Sequence, residues 1–337
     1  MLQETQEEEL HYPKALAVKN DKELGKLLAG LTIAHGGGCI NLCFCSLLKN
    51  SGNTASKEPK FYIYNSCLST VFEQRCTKTL RSRDQLELVH DTFWDRRSCR
   101  EHFFDETPWC YNCDRFQQAG DQYLDLGDGR LACSDCSSIT IMDPKDFKPL
   151  IEMVHKFYRS LNLKLVENIS VLLADRHEIY KLCISKGTLD VGTEVLGLTI
   201  CGVLAFIRRT FFVCSVLMGG ALAHEMMHTW LELQVGGGIL EKRVKEGICE
   251  VMNYMWMEWF CANEGVEYSY KTDEQAEFTR KLKEFYQQRK ERCEDECYGQ
   301  GFRDAMWAVQ IFGLETTLEH IVQKRSLPES MVYPYVS

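Results

Sequence analysis

Helical periodicity begins near residue 146 and dominates the rest of the chain. Phe147, Leu150, Ile151, Val154, Phe157 and Tyr158 recur at helical spacing, so residues 146–160 predict one amphipathic helix. Leu163, Leu165, Val166, Ile169, Val171, Leu172 and Leu173 predict a strand over 163–173, and 195–213 is a second β-prone stretch. Further helices are expected at about 214–234, 243–262, 273–292 and 301–323. The run Val216-Leu217-Met218-Gly219-Gly220-Ala221-Leu222-Ala223 is apolar enough to bury the first of these. Gly219 and Gly220 permit close approach of another backbone, and Gly236-Gly237-Gly238 supplies a stop. Strands followed by helices predict an α+β domain. No repeat recurs at a fixed period.

Upstream the pattern is different. Residues 1–25 are acidic and polar, with Ala15-Leu16-Ala17 as their only apolar knot. Between Lys26 and Lys49 lie 22 residues without a formal charge, long enough to span a bilayer. His35, Asn41, Ser46 and Gly36-Gly37-Gly38 weaken such a span, so a partly buried module is expected and a membrane role is not. Residues 50–60 read as a linker. Residues 61–137 combine cysteine, histidine and aromatics in short segments whose own core is small, so metal sites must organise them. The pattern therefore divides the chain into a divergent N-terminal region (1–60), a zinc-binding module (61–145) and a larger domain (146–337).

Composition narrows the class. A chain of 337 residues with 45% hydrophobic residues and only 7 prolines is globular rather than disordered or fibrous. The net charge of −9 argues against nucleic acid as a partner. Seventeen cysteines is a high and odd number. The start carries Glu4, Glu7, Glu8 and Glu9, the opposite of a basic signal peptide. A reducing compartment, cytosol or nucleus, is the expectation.

His224 and His228 are four apart, so on a helix their imidazoles project from one face and can share a zinc ion. Glu225, beside the first ligand, is placed to take a proton from an attacking water and pass it to a leaving amine. The alternative is a structural network of two helix histidines and one acid. Glu246 follows His228 with 17 residues between, at the front of another apolar helix, and can return as a third ligand. Two histidines, one glutamate and an open position suit a catalytic zinc. Glu250, one turn on, is placed to accept the free N–H of a ligand histidine. For the oxyanion, Tyr298 in Tyr298-Gly299-Gln300-Gly301-Phe302-Arg303 is one donor candidate and His320 another.

Cys110-x-x-Cys113 and Cys133-x-x-Cys136, separated by 19 residues, supply four thiolates with structural-zinc spacing. Gly127-Asp128-Gly129 between them suits a tight hairpin. Cys99-x-x-His102 just upstream looks like the second half of another site, as in LIM domains. Cys76 is available for its first half, with Glu73, Thr79 or His90 as imperfect mates.

Leu222 to Trp230 and Glu246-Gly247-Ile248-Cys249 together resemble the plant LIM-containing, ubiquitin-activated peptidases that limit seed and organ growth. The resemblance runs through Phe93-Trp94, Cys99, His102, Thr107-Pro108, both cysteine knuckles, Asp128-Gly129-Arg130 and Tyr298 to Arg303, covering roughly residues 61–325. It implies ubiquitin-interacting helices, a LIM domain, a LIM-like domain and a zinc peptidase, activated by ubiquitination and cleaving ubiquitin-pathway enzymes and growth regulators. His224 and His228 would hold zinc there, and Glu225 would be the catalytic acid. Two parts depart from that plan. Glu7 to Ala17 is at best a remnant of a ubiquitin-interacting helix, interrupted at Pro13, and Cys39, Cys43 and Cys45 fit no knuckle.

The expectation is an α+β chain: a zincin-like metallopeptidase domain preceded by a small zinc-bound LIM-like module. It carries one catalytic and one or two structural zinc ions. Its partners would be protein substrates, with ubiquitin or ubiquitin ligases implied by the resemblance. The rival class is a catalytically inactive, zinc-stabilised adaptor.

Overall fold

A computed structural model describes residues 43–45, 88–91, 93–99, 107–117, 121–126, 130–140, 147–165, 170–174, 197–200, 203–207, 214–235, 240–267 and 272–328. The first strands are β1 (Cys43–Cys45), β2 (Leu88–Asp91), β3 (Arg96–Cys99), β4 (Leu124–Asp125) and β5 (Leu131–Ala132). After the short α1 (Ser134–Ser138) and α2 (Phe147–Ser160) come β6 (Ser170–Ala174), β7 (Gly197–Ile200) and β8 (Val203–Ile207). The rest is helical: α3 (Ser215–Val235), α4 (Lys242–Glu267), α5 (Asp273–Glu291), a π-helical turn (Glu296–Gln300), α6 (Gly301–Phe312) and α7 (Leu314–Lys324). The architecture is α+β and mostly helical.

β7 and β8 pair antiparallel, β8 runs parallel to β6, and the sheet order is β1-β7-β8-β6. Cys43 lies opposite Thr199, so a short segment of the N-terminal region joins this sheet. The rest of the uncharged segment 27–48, the linker 50–60 and the acidic start lie outside the described residues. Among the described residues, no helix is long and apolar enough to cross a membrane.

The core is centred on α3, 17 of whose 21 residues are buried, as an all-round apolar helix demands. α4 lies along it. A Cβ on Gly219 would fall 2.2 Å from Trp256 Cζ2, and one on Gly220 would fall 2.2 Å from Asn253 Oδ1. The glycines thus make room for two side chains of α4, not for a second backbone. Trp256 Nε1 donates to the Val216 carbonyl at 3.0 Å, so the indole is fixed as well as packed. From the other side, the Tyr158 hydroxyl of α2 donates to the Ala223 carbonyl at 2.6 Å, one residue before His224.

Two elements differ from the sequence expectation, each for a local reason. Of the strand expected over 163–173, Ser170–Ala174 is strand and 163–165 is not, while 166–169 lie outside the described residues. Asn162 takes a left-handed conformation (φ 58°), and the Leu163 N–H reaches back to the Tyr158 carbonyl at 3.0 Å. Residues 162–163 therefore close α2 in a Schellman arrangement rather than starting a strand. The helix expected over 301–323 is two helices, because Gly313 at φ 82° ends α6 and begins α7.

Candidate metal centre

The two histidines sit a turn apart on α3, both fully buried, and their Nε2 atoms are 3.0 Å from each other. α4 runs back along α3 and brings Glu246 to them. Its Oε2 lies 3.4 Å from His224 Nε2 and 3.3 Å from His228 Nε2. Four ligands held tetrahedrally around zinc at 2.0–2.1 Å are about 3.3–3.4 Å from one another. The three atoms therefore already occupy one face of such a tetrahedron. Among the described residues, the buried Glu246 Oε2 has no hydrogen-bond donor, which is the requirement of an anionic oxygen that faces a cation.

Electrostatics agree with this fit. Burial pushes the His228 imidazolium down to about 4, although Glu246 pulls the other way. The ring is then neutral at pH 7, as a metal ligand must be. Burial alone would raise the Glu246 carboxyl, but the adjacent histidines outweigh it and hold the group well below the usual carboxylate range.

The outer nitrogens of both rings face side chains of α4. Glu250 Oε1 lies 3.2 Å from His224 Nδ1, the position expected for it from the sequence. Cys249 Sγ lies 3.3 Å from His228 Nδ1. His224, His228 and Cys249 are close enough to form a metal-binding group of their own. In an imidazole, however, the Nδ1 and Nε2 lone pairs diverge, so one ion cannot take both Nε2 atoms and a thiolate standing at Nδ1. The set with Glu246 fits better. Glu225, beside His224, is fully buried.

Two partners escape a reading of the sequence. Cys249 is visible there as the end of the Glu246-Gly247-Ile248-Cys249 motif, with no role of its own. Lys290 of α5 is 8% exposed and ion-pairs with the other oxygen of Glu250. It continues the buried row Leu282, Tyr286, and a lysine on an apolar stripe is the available signal. Asn253 Nδ2 also donates to Glu250 Oε2, at 3.4 Å.

Tyr298 lies in the π-helical turn, 9% exposed, with Lys242 Nζ 5.9 Å from its ring centre. Asp295 caps the turn by accepting from the Cys297 and Tyr298 N–H groups, both at 2.8 Å. Glycine contacts bring the turn against α4: a Cβ on Gly247 would lie 2.3 Å from the Gly301 carbonyl oxygen. Tyr298 is thus held against the helix of Glu246 and Glu250. His320, the other donor candidate, is half-buried on α7, with its Nε2 3.5 Å from Ser326 Oγ.

The cysteine module forms a second candidate site. Cys110, Cys113, Cys133 and Cys136 are all buried with their sulfurs within 4.8 Å of one another. Cys113 and Cys133 sulfurs are 3.8 Å apart, which matches the about 3.8 Å edge of a tetrahedron with 2.3 Å zinc–sulfur bonds. Backbone N–H groups of Cys133 and Cys136 point at sulfurs of Cys110 and Cys133 (3.3 and 3.4 Å), and Arg115 donates to Cys113 (3.0 Å) and Cys133 (2.9 Å). Such donors stabilise thiolates. β4 and β5 form the hairpin expected between the knuckles, though Gly127 to Gly129 lie outside the described residues. Of the upstream site, Cys99 ends β3; its side chain, Cys76 and His102 lie outside the described residues.

The fold and site define a mostly helical α+β domain with a buried His/His/Glu cluster that could hold a metal beside a four-cysteine module. Residues 210–324 match the family model described as DA1-like: Protein DA1. The chain belongs to this family. It is 30% identical to Protein DA1 of Arabidopsis thaliana over 70% of this chain and 52% of the relative. Protein DA1-related 1 of the same plant is 31% identical over 68% of this chain and 50% of its own length. LIM domain-containing protein HDR3 of Oryza sativa subsp. japonica is 29% identical over 68% of this chain and 56% of the relative. The chain thus spans about half the length of these curated relatives. No solved structure matches.

Proposed function

We propose that this chain is a zinc endopeptidase that cleaves protein substrates by attack of water on the amide. The observation that carries the reading is the triangle of His224 Nε2, His228 Nε2 and Glu246 Oε2, with edges of 3.0–3.4 Å. His224, His228 and Glu246 would hold a zinc ion there, which would supply Lewis acidity for water attack on an amide. Glu225 takes the proton of the attacking water and delivers it to the departing amine nitrogen. Tyr298 donates its hydroxyl proton as a hydrogen bond to the developing oxyanion. Glu250 and Cys249 hold the two rings by their outer nitrogens, which keeps both Nε2 lone pairs aimed at one point. The four cysteines hold a structural zinc.

The resemblance read in the sequence leads us to propose ubiquitin-pathway or growth-regulatory proteins as substrates, ubiquitin or ubiquitin ligases as partners, and a cytoplasmic or nuclear site of action. The domain division at residues 60 and 145, with a LIM-like module in the middle, belongs to the same reading.

A second reading is favoured by one observation. His224, Glu225 and His228 are fully buried, and Glu246 is 2% exposed. A centre so enclosed fits an inactive, zinc-stabilised adaptor. Glu225→Gln decides between the two: under the peptidase reading it keeps its zinc and loses cleavage of a ubiquitin-pathway substrate, assayed with co-expressed ubiquitinated protein. Cleavage that survives in this variant eliminates the mechanism. Zinc-loaded parent protein that cleaves no substrate under these conditions supports the adaptor.

A further inference from the structure

α5 is built into both metal-binding regions at once. At one face, the Tyr286 hydroxyl donates to the Asn112 carbonyl at 2.7 Å, inside the Cys110-x-x-Cys113 knuckle. Arg289 ion-pairs with Asp114, the residue after Cys113. At the start of the helix, the Gln275 side chain donates to the Ser138 carbonyl at 3.0 Å, at the end of α1, which carries Cys136. The very next residue after Arg289 is Lys290, and it meets Glu250. Glu250 in turn stands at His224 Nδ1.

The links through Tyr286, Lys290 and Glu250 are enclosed, whereas Arg289–Asp114 is partly exposed and Gln275–Ser138 is exposed. Tyr286, Lys290, Glu250 and His224 are 7%, 8%, 2% and 0% exposed. The Glu250 carboxylate divides its oxygens, Oε2 to Lys290 and Asn253, Oε1 to the imidazole. A carboxylate held by only one of these groups is free to rotate about its terminal torsion, and the ring it orients is then free as well. Asp114 takes a left-handed backbone conformation (φ 56°) immediately after Cys113. Its N–H donates to the Cys110 carbonyl at 2.9 Å, which ties its place beside Arg289 to the knuckle.

We infer that α5 is a strut through which the four-cysteine knuckle positions the His224–His228–Glu246 centre, with Lys290 as the positioning residue that holds Glu250 against His224. The consequence is that the affinity of the histidine centre for zinc depends on contacts made to the cysteine module. This inference rests on the histidine centre binding zinc, as proposed above.

The test uses the full chain loaded with zinc at both sites and follows release to a chromophoric chelator without substrate. Zinc at the cysteines is counted separately, by its release on thiol modification. Tyr286→Phe combined with Arg289→Met removes both contacts of α5 to the Cys110-x-x-Cys113 knuckle, keeps Gln275 on Ser138, and leaves every ligand in place. The histidine-site zinc should then leave about tenfold faster or more than from the parent, as for loss of an outer partner. Lys290→Met should accelerate release to a similar degree, and the triple variant should fall short of the product of the two effects, because both cut one path. A parent-like rate in the Tyr286/Arg289 variant, with its cysteine zinc retained, overturns the strut. Should that variant fail to fold, Tyr286→Phe alone removes one hydroxyl and keeps the ring. An acceleration of about threefold then supports the strut, and a parent rate overturns it. If the parent takes up no zinc at the histidines, the peptidase reading itself fails and the strut falls with it. If zinc binds but its release ignores α5, only the strut fails.

Discussion

Cys249 Sγ stands 3.3 Å from His228 Nδ1, while Glu246 Oε2 stands 3.3 Å from Nε2 of the same ring. The two flank one imidazole, so only one of them can share an ion with His224 Nε2. Glu246 is three residues before Cys249 on α4, and the helix directs both toward α3. In the peptidase reading proposed above, the carboxylate is the ligand and the thiol sulfur accepts a hydrogen bond from Nδ1–H.

This assignment has a spectroscopic consequence. Replacing zinc with cobalt at both sites gives thiolate-to-metal absorption from the four-cysteine site. Cys249→Ala should leave that absorption unchanged and lower the histidine-site affinity by up to about tenfold. Loss of a thiolate band in Cys249→Ala would make Cys249 a ligand instead.

Glu246 and Glu250 differ in role and so in cost. Glu246→Gln removes a charged ligand, and its zinc affinity should fall by more than the roughly 10–100-fold expected for Glu250→Gln, which removes an outer partner. Competition against a chelator of known affinity gives both values. Equal losses would contradict the division of roles.

The burial of His228 predicts how acid acts on the metal-free protein. Its pKa is about 4 in the fold against 6.5 for the free side chain. The unfolded chain therefore takes up the proton first as pH falls, and stability present above pH 6.5 is lost progressively down to about 4. The loss amounts to about 3 kcal/mol, from roughly 2.5 pK units. Glu246, held ionised by the histidines, adds its own loss only below its ordinary value of 4.5. Urea unfolding of metal-free protein at pH 7, 6 and 5 should show this slope, and His228→Gln should flatten it.

Packing between α3 and α4 is equally exposed to test. A Cβ at Gly219 would meet three atoms of the Trp256 indole within 2.5 Å, and that ring is fixed by its bond to the Val216 carbonyl. Gly219→Ala should cost about 1–3 kcal/mol by overpacking. Combined with Trp256→Leu, which opens the space, it should cost less than the sum of the two single changes. Thermal or urea unfolding of the four proteins in the cycle measures this.

Much of the site is legible in the amino-acid sequence because helical geometry is local. Residues four apart on a helix share a face, so His224 and His228 must converge once 214–234 is helical. Two cysteine pairs at zinc spacing need no long-range knowledge either. Even Glu246 can be anticipated, since an apolar helix after a glycine stop must turn back to bury its face.

What the sequence determined by itself was thus the helices between 147 and 291, α3 with its paired histidines among them, and the two knuckles. Tertiary structure decided which atoms meet: that Glu246 Oε2 faces both Nε2 atoms, that Cys249 stands at the opposite nitrogen, and that Lys290 reaches Glu250. Spacing along a chain dictates faces of a single helix. The pairing of faces from α3, α4 and α5 depends on how Gly219 and Gly220 receive Trp256 and Asn253, and on what the cysteine knuckle holds in place, neither of which is a local property.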